Sequence, residues 1–479
     1  MGDFIGGMGA DSVLARAGTV AEEDRRRSAG DEKTCYYGKL GIVTARERLG
    51  KRMQNNSQQS EPNHPAIRQF GEDEFTNLDG STTKQHNIMF LVGNGFDIAV
   101  LDMLGADYKT DYQSFFYYLK SKNFNDSNTI FRKMDELRQK HEASVEQGGD
   151  GVSNWSDLES VLQDFVSNSQ GVDFENLRTD LEEIQDQFSN YLDLVVQPSH
   201  LTKLSALAQS RRWAYSTFAR FLADLDEESY LNLDFPRYAR YYELFNFNII
   251  NFNYTYLLDN YLFLDQKQFN PHPYVTVDTN FQFRLNPRNH GDDKYRPNAE
   301  TGCSSYLFVD LHHPHGSQAI PRSLLFGIDS TDKSAAQGSI HGLDKAFWAQ
   351  TPRRYKKMIA ESELFIIFGS SMGKTDRWWW RHILKRIDDG GELIIYKFRS
   401  EEGGDLGSLR RKIATQFVEE NYDPELFGGG AMTVAQQSRL MGRIHVVLYS
   451  RSETLSALGF SPNVFNPNDR NPASIPKVR

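Results

Sequence analysis

Seven short apolar runs, closed by small or polar residues, constrain the fold of this chain more than any other feature. They read IMFLVGNG (Ile88–Gly95), FNIINFNYT (Phe247–Thr255), YLFVDLHHPHG (Tyr306–Gly316), SLLFGID (Ser323–Asp329), LFIIFGSS (Leu364–Ser371), ELIIYKF (Glu392–Phe398) and IHVVLYS (Ile444–Ser450). Runs this short and this continuously apolar suit strands buried on both faces of a parallel sheet. Helical patterns lie between several of them. An α/β, Rossmann-like, doubly wound parallel sheet follows, with ligand sites at the carboxyl ends of its strands.

One interval breaks the alternation. Between the first two runs no convincing strand is visible. ENLRTDLEEIQDQFSNYLDLVV carries Leu177, Leu181, Ile184, Phe188, Tyr191 and Val195 at alternating spacings of four and three, one stripe of a helix. NWSDLESVLQDFV opens with Ser156 and Glu159 at capping-box spacing. Residues 106–240 therefore read as a mainly helical insertion after the first strand, splitting a nucleotide-binding domain into 86–105 and 241–450. Residues 1–85 are polar and charged, as in AEEDRRRSAGDEK, and read as a flexible extension. Residues 451–479 are rich in Pro and Asn and read as an extended tail.

The strand ends carry the chemistry. Gly93-Asn94-Gly95 resembles a dinucleotide turn, but Ile98 stands where the third glycine belongs and Asp97 precedes it. Two readings stand side by side: Gly93 and Gly95 bring backbone amides to a phosphate at a helix start, or Asp97 caps that helix. The second run delivers Asn251, Asn253 and Thr255 past its strand; asparagine there is costly to bury without partners, so it either ties a loop or faces a ligand. Of three His-Gly pairs, His315-Gly316 follows the strongest run, its approach stiffened by Pro314. Adjacent His312 and His313 face opposite ways on a strand and no carboxylate spacing supports them, so no metal is expected. The fifth run ends at Gly369, Ser370 and Ser371, with Asp376 at the next helix start. A phosphate-loop lysine motif needs four residues between Gly369 and the Gly-Lys pair; Gly373 leaves three. Trp378–Trp380 reads as core packing.

Taken in order, Gly93–Asp97, Trp155–Glu159, Asn253–Thr255, His315-Gly316, Phe326–Asp329 and Gly369–Asp376 resemble the motif series of the bacterial phage abortive-infection AbiH family, over residues 87–400. The chain departs from that series at Ser370, where the family has histidine, and at Met372, where it has leucine. More distantly, the order resembles sirtuin-like NAD-binding domains. That resemblance implies Asn253 and His315 as the residues of NAD cleavage, with Thr255 where those domains carry Asp. Two cysteines, Cys35 and Cys303, exclude the four-cysteine zinc module of the deacetylases. The implied function is a phage-defence effector that binds NAD or a related nucleotide and cleaves the nicotinamide–ribose bond. A nucleotide sensor without turnover is the alternative, and a defence nuclease the second alternative. The bond cleavage builds oxocarbenium-like charge on the ribose, and a histidine can take up a proton near neutral pH.

Expected partners are the nucleotide ligand, a phage component or defence-system partner, and further copies of the chain in a homo-oligomer. A net charge of −10 argues against nucleic acid as a partner, although a local basic patch can hide inside it. No apolar run approaches the ~20 residues of a membrane span, and few cysteines suit a reducing compartment. A cytoplasmic location is expected.

Overall fold

The computed structural model describes residues 85–450, apart from 153–154, 169–172, 212, 237–242, 264–269, 273–274, 279–305, 329–342 and 400–403. The expected N-terminal extension, except Gln85, and the C-terminal tail lie outside the described residues, as do Asp329, His290-Gly291 and His341-Gly342.

Eight strands form one sheet: β1 (Gln85–Val92), β2 (Leu244–Asn251), β3 (Asn270–His272), β4 (Val275–Asp278), β5 (Tyr306–His312), β6 (Leu364–Phe368), β7 (Glu392–Phe398) and β8 (Ile444–Tyr449). Their order is β3-β4-β5-β2-β1-β6-β7-β8. The six from β5 to β8 pair in parallel, and β4 and β3 add an antiparallel edge. Counting parallel strands in chain order, the sheet runs third, second, first, fourth, fifth, sixth. This is the Rossmann-like arrangement, whose switch point falls between β1 and β6. The apolar runs explain it: Ile88 to Val92 of β1 and Leu364 to Phe368 of β6 are all buried, which requires cover on both faces. Register then levels the strand ends. Val92 stands opposite Asn251 and Phe368, and Ile250 opposite His312. The residues after these positions leave the sheet along one rim.

The fourth apolar run is not a strand of the sheet. Leu324, Phe326 and Ile328 are buried, but Ile328 makes only an isolated bridge to Asp344. The run is extended because alternate side chains pack inward, with Phe326 edge-on to Phe188 at 5.0 Å. Packing against a helix, rather than a neighbouring strand, consumes its apolar face.

Between β1 and β2 come the helices α1 (Gly95–Leu104), α2 (Tyr112–Ser121), α3 (Thr129–Glu146), α4 (Leu158–Asn168), α5 (Phe174–Val195), α6 (Pro198–Arg211), α7 (Trp213–Arg220) and α8 (Glu227–Asn232). The α5 stripe from Leu177 to Val195 is buried at every position read from its spacing. The cap of α4 differs from the expected box. Asp157 accepts from the amides of Glu159 and Ser160 at 3.1 and 3.3 Å, which frees the Glu159 carboxylate to turn elsewhere. The remaining helices are α9 (Leu257–Phe263), α10 (Lys345–Trp348), α11 (Thr351–Glu361), α12 (Arg377–Asp388), α13 (Leu406–Asn421) and α14 (Val434–Met441). Trp378, Trp379 and Trp380 of α12 are buried, as core packing requires. Among the described residues no helix is long and apolar enough to cross a membrane.

Candidate functional site

The exits of β1 and β6 touch backbone to backbone at the switch point. Gly93 N–H donates to Phe368 O at 2.9 Å and Gly95 N–H to Gly369 O at 2.7 Å. A Cβ on Gly95 would lie 2.7 Å from Gly369 Cα, and Gly369 itself sits at φ +67°. The glycines are therefore needed for this close approach. Their amides are consumed by it, which corrects the expectation that Gly93 and Gly95 present N–H groups to a diphosphate. Asn94 also turns to protein: its amide donates to Thr110 O at 3.1 Å and its carbonyl oxygen accepts from the Thr110 hydroxyl.

Asp97 does not cap α1 with its side chain. It lies within the helix, buried, and its two oxygens accept from Asn253 Nδ2 at 3.0 Å and Thr255 Oγ1 at 2.6 Å. Burial pushes its carboxyl up to about 7. Both partners come from the turn after β2, where Asn251 Oδ1 accepts from Asn253 N–H at 3.0 Å. Asn253 Oδ1 is buried and has no hydrogen-bond partner among the described residues. An unpaired buried acceptor costs about 1–3 kcal/mol, which makes this oxygen a candidate contact for a ligand donor.

A second cluster faces the first. His315 Nε2 lies 3.1 Å from Asp376 Oδ1, and its ring tilts against Phe252 at 5.0 Å. Behind the pair stands Lys345, whose Nζ is 2.9 and 3.0 Å from the two Glu159 oxygens and 3.1 Å from Asp376 Oδ1. Thr375 donates to Glu159 Oε2 at 2.8 Å. Local structure fixes the lysine: Ile328 N–H donates to Leu343 O and Lys345 N–H to Ile328 O, so the isolated bridge sets the start of α10.

The charges explain the shifts. Burial opposes the Lys345 ammonium, yet Asp376 and Glu159 hold its pKa well above the usual lysine value. Burial would raise Asp376, but Lys345 and His315 outweigh it and hold the carboxyl far below the carboxylate range. Glu159 shares a single cation with a second carboxylate; burial, with repulsion from Asp376, leaves it raised.

Both clusters line one cavity of about 1030 Å³ at the carboxyl ends of the strands. Gly93, Asn94, Gly95, Asp97, Asn253, Thr255, His315, Gly369, Ser370, Ser371 and Asp376 all border it. Gly316 does not. It sits at φ +85°, and a Cβ there would come within 1.8 Å of Ser323 O, so its place is in the turn rather than against a ligand. Ser370 Oγ accepts from Met372 N–H at 3.0 Å and steadies a turn in which Met372 has φ +57°. Sequence reading missed Lys345 altogether and took Glu159 for a capping residue. Their pairing spans 186 positions, which no local pattern signals. Among the described residues no group of three or more metal-ligating side chains converges.

No curated protein matches the chain. Residues 89–396, more than half of it, match the family model described as bacteriophage abortive infection AbiH.

Proposed function

We propose, on the premise that the chain belongs to the AbiH family of phage abortive-infection proteins, that its cavity binds NAD or a related nucleotide and cleaves the nicotinamide–ribose bond. Membership carries the defence role; the ligand and the reaction are our reading. One observation carries that reading. The unpaired Asn253 Oδ1 and the ring of His315 border the same cavity, at the rim where parallel sheets of this order hold nucleotides.

In the reaction, a water oxygen bonds to ribose C1′ as the C1′–N bond breaks. Its electron pair leaves on nicotinamide, and the water proton passes to His315 Nδ1. Asp376 orients the ring through Nε2, and the Glu159–Lys345 pair fixes Asp376 in turn. Asn253 Oδ1 accepts a hydrogen bond from the water or a ribose hydroxyl, while Asp97 holds its Nδ2. Such positioning lets charge develop on the ribose against prepared groups. With the glycine amides spent, the diphosphate falls to side chains at the rim, Ser371 and Lys374, both exposed and bordering the cavity.

The test is incubation of purified protein with NAD, following free nicotinamide and bound nucleotide together. Nicotinamide release supports the hydrolase. Nucleotide bound but intact makes the cavity a sensor, and neither release nor binding removes the NAD reading.

A further inference from the structure

We propose that the face formed by α10 and α11 binds single-stranded nucleic acid. The chain as a whole carries a net charge of −10, so a concentrated basic surface stands out against its own background. Helix α11 supplies one: Arg353, Arg354, Lys356 and Lys357 are all exposed, while Thr351, Tyr355, Met358 and Ile359 face inward. The only carboxylate of that helix is Glu361 at its last turn, 3.8 Å from Lys357 Nζ. One turn upstream, α10 presents Phe347 and Trp348 at 56% and 58% exposure, their ring centroids 5.9 Å apart and nearly perpendicular. Helices α10 and α11 are consecutive and pack together, which sets the aromatics just ahead of the basic helix.

Exposed large aromatics beside a cluster of four cations, of which Lys357 alone is placed against a carboxylate of the same helix, fit a strand whose phosphates meet the basic side chains and whose bases stack on the rings. A duplex keeps its bases stacked inside and offers the rings nothing, an acidic peptide would use the charges alone, and an anionic membrane, which takes interfacial aromatics as well as cations, is separated by the vesicle arm of the test. The expectation that nucleic acid is not a partner rested on the total charge; this surface is local and opposes it. The inference is independent of what the cavity binds. Lys345, at the start of α10, borders the cavity, so the surface begins beside that site.

The test uses the full chain and fluorescein-labelled oligo-dT and oligo-U of about 20 nucleotides, a length spanning one or more site sizes of single-strand binders. Anisotropy is read across about 50 to 200 mM salt, where log K for single strands falls by about 0.7 per phosphate neutralised. Four engaged cations predict a slope near −3 by the same relation, and Arg353→Gln with Lys357→Gln should remove about 1.4 of it. Trp348→Ala should weaken binding about tenfold with the slope unchanged, within the range for loss of one stacked base. All the substituted side chains are exposed, and an unchanged melting temperature confirms the fold. No binding by the parent at micromolar protein overturns the proposal. So do variants that bind as the parent does, and so does equal capture of anionic vesicles or polyglutamate that the oligonucleotide cannot displace.

Discussion

Replacing Lys345 with methionine probes the site where its electrostatics are most concentrated. The lysine is 4% exposed, and among the described residues its ammonium is the only cation within 3.1 Å of the two carboxylates it joins, Glu159 and Asp376, apart from the His315 ring. Methionine fills much of the same volume and carries no charge. Among the described residues it leaves Glu159 with the Thr375 hydroxyl and Asp376 with the His315 ring. Breaking a buried pair by removing one partner costs about 3–5 kcal/mol, because the remaining charge is stranded. Urea denaturation near pH 7.5 should show a loss of that size for Lys345→Met. Adding Glu159→Gln removes one stranded charge, and the double variant should recover a large part of the loss; contact pairs of this kind couple by about 0.5–3 kcal/mol. The single variant should also regain stability as the pH is lowered. Its orphaned carboxylates bind protons more tightly folded than unfolded, so acid favours the folded state. A Lys345→Met protein within about 1 kcal/mol of the parent at pH 7.5, well under the cost of a stranded buried charge, would refute the buried network.

Asp97 supplies a second test, because its folded pKa of about 7 lies above the 3.8 of an ordinary aspartate. The folded state then holds a proton that the unfolded state has released. This contribution is favourable at acid pH and is lost as pH rises from about 4 to about 7, by about 4 kcal/mol at 1.36 kcal/mol per unit. The stability difference between parent and Asp97→Asn, measured by denaturation from pH 5 to pH 8, should change in that direction and level off above the folded pKa. Gly95→Ala would push a Cβ to 2.7 Å from Gly369 Cα, backbone against backbone. Separating the β1 and β6 exits should cost about 1–3 kcal/mol, as overpacking does, and should weaken nucleotide binding in calorimetry. Phe188→Ala removes a ring that meets Phe115, Tyr254 and Phe326 at 4.9 to 5.4 Å. Its expected cost in the same denaturation assay is about 3–5 kcal/mol.

The parallel strands were legible because burial on both faces leaves a continuous apolar run, as Phe90-Leu91-Val92 and Phe365-Ile366-Ile367 show. Asn253 and His315 were legible for a related reason: a polar side chain placed directly after such a run must emerge at the rim. The run at Leu324–Ile328 misled, since alternate burial against Phe188 leaves the same trace in sequence as burial in a sheet. Gly93 and Gly95 misled in a different way. A glycine that admits a phosphate and a glycine that admits a neighbouring backbone carry the same letter, and only the Gly95–Gly369 contact separates them. Lys345, and the part Glu159 plays beyond its motif, were invisible because their meaning lies in each other. A carboxylate on α4 and an ammonium on α10 become one feature only when the isolated bridge at Ile328 brings α10 to the cavity.

The most direct measurement of the central claim compares NAD turnover by the parent and by His315→Ala, with melting temperature read on the same samples. Loss of a general base lowers a rate by about 10²–10⁴-fold. Nicotinamide release by the parent and a fall of that size in the variant are expected, with a melting temperature close to the parent's. A folded His315→Ala protein that releases nicotinamide at the parent's rate would contradict the assignment.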